Sequence, residues 1–366
     1  MKLTVLSVAY PLTPVGPDAV GGSEQILTLL DSALVRAGHR SIVVACEGSA
    51  PQGELVPTPR WDGPLTDEIR CWAQGQHRIA IEEALRKYDV DIIHMHSLDF
   101  WCYIPSGTVP ILVTLHLPPD WYPPEIFYDI TRPNVYLNCV SAAQQAACPP
   151  NAHALLPHVD NGVDVDRLCV PLRKRDFALA LGRICPEKGL HYALDAARVA
   201  GAPFLLAGEV YKYEAHQQYF DQEIVPRLDA CRRFVGPAGF RAKRRLLTQA
   251  RCLMIPSVVA ETSSLVAMEA LSCGTPVIAF PNGALPEIVE HGRTGFIVED
   301  EHQMANALHA VRFLDPEVCR ATARKRFSAS RMSRRYIEVY QTLAASAMKQ
   351  TAASFESSLD ELARPA

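Results

Sequence analysis

Short apolar runs that end in a Gly- or Pro-bearing turn and then lead into a helical stretch recur along this chain. That rhythm restricts it to parallel sheets flanked by helices. Residues 252–283, CLMIPSVVAETSSLVAMEALSCGTPVIAFPNG, show one full period. Cys252 to Ile255 reads as a strand stopped by Pro256 and Ser257, and a turn then carries Glu261 and Thr262. A helix begins near Ser263 or Ser264, where a hydroxyl can accept an orphan backbone N–H, and it stops before Gly274 and Pro276. The run Pro276 to Phe280 resumes a strand.

Glu261 lies ahead of that helix and Glu269 about two turns inside it, which places their carboxylates on the order of 10 Å apart. A glycoside-hydrolase pair needs about 5–5.5 Å for retention or roughly 6.5–9.5 Å for inversion, so hydrolysis is disfavoured. The helix N-terminus between them suits an anion. Carboxylate, anion cradle, carboxylate is the order of partners that a nucleotide sugar requires. The same residues equally fit a local cap or salt bridge at Glu261 and a solvated Glu269.

The first half begins with a strand, Leu3 to Ala9, and a loop in which Gly21-Gly22-Ser23-Glu24 opens a helix from Gln25 to Ala37. This is not G-x-G-x-x-G, so a dinucleotide fingerprint is a poor match. Ile42 to Ala45 is the next strand, and residues 47–75, with several prolines and little periodicity, read as a surface excursion. A helix from Ile79 to Lys87 precedes the strand Asp91 to Met95, whose period of two sets His94 and His96 on one face. With no third ligand nearby, strand-end hydrogen bonding is favoured over metal for this pair. The strand Ile111 to Leu115 delivers His116 to its carboxyl end ahead of Pro118-Pro119, where open parallel sheets bind ligands. Val135 to Val140 is a further strand, followed by the turn Asn161-Gly162-Val163-Asp164.

The pattern restarts after Pro171. Phe177 to Leu181 is a strand, residues 182–189 (GRICPEKG) a loop, and Leu190 to Ala200 a helix. Arg183 and Lys188 stand beside glycines at a strand end, where two cations can balance a diphosphate. Strands Pro203 to Ala207 and Arg233 to Val235, the turn Gly236-Pro237 and the helix Lys243 to Ala250 lead into residues 252–283, and a last helix spans Ser333 to Ala347. The expected architecture is α/β, with two doubly wound domains facing one another.

The length of 366 residues accommodates two such domains. With 48% hydrophobic and 21% charged residues, and no apolar run near the roughly 18 residues of a membrane span, the chain is expected to be soluble and cytoplasmic. A net charge of −4 argues against general nucleic-acid binding; the clusters at 173–175 and 241–245 read as solvated surface, with membrane-surface or acidic-acceptor contact as the minor alternative. The 11 cysteines contain no C-x-x-C and fit reduced thiols rather than disulfides or a zinc site.

Taken together, GGSE at 21–24, VTLH at 113–116, NGVD at 161–164, GRICPEKG at 182–189, Glu261 with Glu269, and CGTPVIA followed by GALPEIVEHGRTGFIV up to Val298 resemble the family 4 glycosyltransferases. The resemblance covers about 280 residues in order and is more specific in the second half. It implies the GT-B fold: Rossmann-like domains at 1–170 (acceptor) and 171–330 (nucleotide sugar), a crossover helix at 331–348 returning to the first domain, and a frayed tail at 349–366. Hinge closure between the domains would assemble the site.

The implied roles attach to matching positions only. Gly22 would sit at the donor phosphate, and His116 would approach the transferred sugar and its leaving oxygen. Arg183 and Lys188 would hold the diphosphate, with the backbone amides of Ser263, Ser264 and Leu265 completing the cradle. Glu261 would address the sugar hydroxyls and Glu269 the ribose, while Val235 and Gly236 would frame the base. Many relatives carry glycines after the first Glu; here Thr262-Ser263-Ser264 place hydroxyls that add donors or narrow the sugar pocket.

The activity implied is retaining transfer, hexosyl transfer foremost, from a nucleoside-diphosphate sugar to an acceptor hydroxyl, with UDP favoured over GDP. No cofactor or metal is expected. The acceptor is a small molecule, a glycan or a lipid-linked species. A non-catalytic nucleotide-sugar-binding protein and another GT-B enzyme such as a sugar-nucleotide epimerase are the alternatives.

Overall fold

Strands buried on both faces must satisfy their amides against one another, and the apolar runs of each half do so in one parallel sheet. The computed structural model describes residues 1–19, 21–128, 132–152, 154–170 and 172–362, from residue 350 onward by backbone alone. The chain forms two units: Met1–Val140 with Ala147–Val159 and the chain from Met332, and Asp160–Arg331 with Ser141–Ala146.

In the first unit β1 (Thr4–Val8), β2 (Arg40–Cys46), β3 (Glu54–Thr58), β4 (Ile92–Met95), β5 (Ile111–Thr114) and β6 (Val135–Asn138) form a sheet of order β3-β2-β1-β4-β5-β6. In the second, β7 (Ala178–Leu181), β8 (Phe204–Ala207), β9 (Arg232–Phe234), β10 (Cys252–Ile255), β11 (Val277–Ala279) and β12 (Gly295–Ile297) take the order β12-β11-β10-β7-β8-β9. All pairings are parallel, with Leu6 opposite both Ile42 and Ile93, and Leu253 opposite both Leu179 and Val277. Alternation then sorts side chains to two cores. Ala178, Ala180, Cys252 and Met254 join the layer containing Leu194 and Leu308, whereas Leu179, Leu253 and Ile255 join the layer containing Leu271 and Leu285. Each fully buried leucine, isoleucine or methionine there contributes about 1.5–3 kcal/mol.

Both orders reverse beside the first strand of their sheet. In the second unit the chain leaves β7 outward through β8 and β9, then returns to place β10 on the other flank of β7. The loops after β7 and β10 therefore diverge, and the crevice between them is the topological switch point where open α/β sheets bind ligands.

The structure departs from the sequence reading at four places. The segment 47–75 is no simple excursion: it contributes edge strand β3, which tolerates Pro57 because an edge leaves one row of amides unpaired, and the start of a helix spanning Asp67–Lys87. That helix buries mostly small residues (Ala73, Ala80, Ala84, with His77 and Ile81), so its apolar period is faint in the sequence. The chain passes to the second unit after Val159 rather than at 171 (itself outside the described residues), because Val163, Val165 and Leu168 pack in the second core and the Val163 N–H donates to Phe327 O at 2.8 Å. Strand β12 is unmarked in the sequence because it starts on Gly295 and holds only Phe296 and Ile297 as bulky apolar residues. Finally, the last helix runs Ala329–Leu362, carrying the stretch from Lys349 that reads as a frayed tail; it contains no Gly or Pro to stop it before Pro365. From Met332 the helix belongs to the first unit, where Tyr336 and Tyr340 are fully buried.

Candidate active site

The loop after β7 is shaped by one glycine. Gly189 has φ 57°, in the left-handed region, and a Cβ there would stand 2.3 Å from Pro256 O. Only glycine lets the two switch-point loops close to this distance. The Val258 N–H donates to Glu187 O at 3.0 Å, fastening them together. Lys188 is thereby brought to Glu261: its Nζ donates to Oε1 at 2.6 Å, with the side chains 27% and 10% exposed. Ser257 Oγ donates to the same oxygen, and the Asn282 amide donates to Ser257 O at 2.6 Å. The Glu261 backbone is pinned as well, bridging to Gly283 and accepting from the Ala284 N–H at 2.8 Å. Arg183 opens the same loop and is exposed.

The helix Leu265–Ser272 follows, with Ser264 at its N-cap position. Its hydroxyl makes no capping hydrogen bond, contrary to the expected role, and Ser263 Oγ is inaccessible without a hydrogen-bond partner. Glu269 falls just beyond the first turn rather than two turns in, because the helix starts only at Leu265. It is buried rather than solvated, and Lys243 Nζ donates to its Oε1 at 2.5 Å. Burial raises the Glu269 carboxyl above its ordinary range, against the lowering effect of Lys243. Val235 is exposed after β9 with its N–H donating to Leu206 O, and Gly236 O accepts from the Gly208 N–H, each at 2.9 Å.

Arg183, Lys188, Val235, Gly236, Glu261, Thr262, Ser263, Ser264 and Leu265 thus all follow the carboxyl ends of strands in the second sheet. Lys188 and Glu261 are joined directly; Glu269 pairs elsewhere, with Lys243.

In the first unit Gly22 is exposed as the first residue of the helix Gly22–Arg36 after β1, and His116 follows β5. His116 Nε2 lies 3.1 Å from His96 Nδ1, with the rings stacked, and the His116 N–H donates to Tyr122 Oη at 3.0 Å. Burial lowers the His116 imidazole to about 4, so it is neutral near pH 7. His94 is held at both nitrogens, by Tyr340 Oη at 2.6 Å and Thr114 Oγ1 at 2.7 Å. Thr114 donates its own proton to Asn138 Oδ1 at 2.7 Å. It therefore accepts from His94 Nε2–H, and His94 Nδ1 accepts from Tyr340. This is the strand-end hydrogen-bonding role expected of His94.

Sequence reasoning missed Lys243, Ser257, Asn282 and Tyr340. Lys243 sits in the basic run 241–245, which reads as solvated surface, and nothing local distinguishes it from its exposed neighbours Arg241 and Arg245.

A family profile described as Glycosyltransferase Family 4 matches residues 20–152, and one described as Glycosyl transferases group 1 matches residues 175–312, so that together they take in every strand of both sheets except β1. The chain belongs to glycosyltransferase family 4. Its fold is GT-B, and it is a glycosyltransferase. This family 4 enzyme is 24% identical over 390 residues to the phosphatidyl-myo-inositol mannosyltransferase of Mycobacterium leprae, covering 94% of this chain and 99% of that one. Among solved structures it is similar to AviGT4, a glycosyltransferase involved in avilamycin A biosynthesis (25% identity, TM-score 0.71, 94% and 98% of the two chains). It also shares the fold of Anabaena HepE, solved with UDP and glucose (18% identity, TM-score 0.69, 93% and 99%).

Proposed function

We propose that this glycosyltransferase moves a hexosyl group, with retention, from a nucleoside-diphosphate sugar to an acceptor hydroxyl without a metal ion. The observation that carries this reading is the Lys188–Glu261 pair at the switch point of the second sheet, with Arg183 at the head of the same loop. Cleaving the anomeric C–O bond leaves negative charge on the diphosphate, and cations fixed beforehand stabilise that charge more in the transition state than in the ground state. Lys188 and Arg183 supply that field, and the backbone amides of Ser263, Ser264 and Leu265 add to it. Their charge takes the part that Mg²⁺ plays elsewhere.

Glu261 positions rather than attacks. Lys188 and Ser257 orient its carboxylate as an acceptor for sugar hydroxyls, and a carboxylate so engaged is a poor nucleophile. With no other enzymic nucleophile identified, the departing phosphate assists removal of the acceptor proton on the same face of the sugar. Glu269, held by Lys243, takes the ribose hydroxyls, and neutral His116 serves the transferred sugar. UDP is the first base to test, since a protein of the same fold holds UDP and glucose.

Lys188→Ala and Glu261→Ala are each expected to lower transfer by several orders of magnitude in folded protein; near-normal turnover of either variant on the true donor and acceptor would overturn the assignment. Transfer is expected to persist in EDTA. Activity lost in EDTA and restored by Mg²⁺ would contradict the metal-free reading.

A further inference from the structure

Beside the Lys188–Glu261 pair, the same loop carries a cluster that donor binding does not use. Cys185 Sγ, a carboxylate oxygen of Glu187 and an imidazole nitrogen of His216 all lie within 4.8 Å of one another. Cys185 is buried, and Glu187 Oε2 and His216 Nδ1 are inaccessible to solvent with no hydrogen-bond partner. The Cys185 thiol lies 3.8 Å from Arg183 O and reaches the Glu187 carboxylate, yet one thiol proton leaves the second carboxylate oxygen and the imidazole nitrogen unmatched, and an ion is among the few partners that satisfy sulfur, carboxylate and imidazole at once. The backbone brings them together from two loops: the Ile184 N–H donates to Glu209 O at 3.0 Å, and a Cβ on Gly208 would strike Gly182 O. His216 is carried by the helix Glu214–Tyr219, with the ring of Tyr213 at 5.2 Å.

We propose that Cys185, Glu187 and His216 form a site for one borderline-soft divalent cation of the Zn²⁺ class, riveting the loop after β7 to the segment after β8. Thiolate, carboxylate and imidazole together are a zinc donor set, and hard cations such as Mg²⁺ do not take a thiolate. Zinc bonds of about 2.0–2.3 Å put tetrahedral ligand atoms roughly 3.3–3.7 Å apart, so side-chain adjustments of about 1 Å close the site. The fourth position is left to solvent. Binding releases the Cys185 thiol proton as the Zn–S bond forms, with no change of oxidation state. Because Glu187 adjoins Lys188, the ion would fix the loop that presents the donor cation. The 30 residues between Cys185 and His216 explain why no spacing motif announces it.

The test is titration of the chelator-treated full chain with Co²⁺, followed by displacement with Zn²⁺. One equivalent of Co²⁺ is expected to give a thiolate-to-cobalt charge-transfer band and the visible bands of four-coordinate cobalt. Cys185→Ser abolishes the charge-transfer band, His216→Ala and Glu187→Gln each weaken binding by about tenfold or more, and Cys139→Ser leaves it intact. Absence of the band, its survival in Cys185→Ser, or indifference to both His216→Ala and Glu187→Gln overturns the site. The outcome is separable from that of the transfer mechanism, because the spectrum requires no donor.

Discussion

Lys188 and Lys243 hold the carboxylates of Glu261 and Glu269 by the same means, and only one of these lysines is legible in the sequence. Lys188 stands seven residues past the end of a strand in a glycine-flanked loop, so its placement follows from the strand pattern alone. Lys243 meets a partner 26 residues further on, Glu269, from within a basic run that gives no local sign of turning inward. Glu269 lies on the helix Leu265–Ser272, whose Ala267, Met268, Ala270 and Leu271 pack in the second core, so its carboxylate is buried with that distant cation as its partner. Removing the cation would strand a buried carboxylate, so Lys243→Met is expected to destabilise the protein by about 3 kcal/mol. Adding Glu269→Gln should recover most of that loss. Urea denaturation checks both, and a Lys243→Met variant as stable as wild type would show that the pair is not coupled.

At the level of elements, strands β1, β2, β4, β5, β6, β7, β8, β10 and β11 could be read because each is a short apolar run closed by a turn residue, and β9 by the Gly236-Pro237 turn that follows it. Strand β3 and the helix Asp67–Lys87 could not, since a proline-bearing edge and a face of alanines carry little periodic signal. Two joints between elements are open to direct tests. Gly283 has φ 64°, and a Cβ there would lie 2.2 Å from Glu261 O. Gly283→Ala is therefore expected to cost about 2 kcal/mol and to slow transfer by displacing Glu261; unchanged stability and rate would disconnect this turn from the site. The last helix is joined to the first sheet through Tyr340 and His94. Tyr340→Phe leaves His94 Nδ1 buried without its donor and is expected to lower stability by about 1–3 kcal/mol. A shift under half a kcal/mol on the same urea curves would speak against the join.

Over the whole molecule, the sequence allowed the class of fold and the order of its motifs to be read, but not which histidines the first unit would bury. His77, His94, His96 and His116 are all lowered by burial, His77 and His116 to about 4. A histidine depressed in the native state binds its proton more readily when unfolded. Stability is then complete above the unfolded value near 6.5 and declines as pH falls toward the folded values. Glu24 and Glu269, raised by burial, act in the opposite sense at the acid end. The urea midpoint should fall steadily from about pH 7 to about pH 4.5, and a flat profile would mean that these rings are solvated. Among the described residues no helix is long and apolar enough to cross a membrane. The proposed transfer requires a diphosphate to be held at the switch point of the second sheet. Isothermal titration of UDP, and separately of GDP, into wild type and Lys188→Ala tests that most directly. One nucleotide should bind per wild-type chain, with affinity at least about tenfold weaker in Lys188→Ala; equal affinity in the two proteins would contradict it.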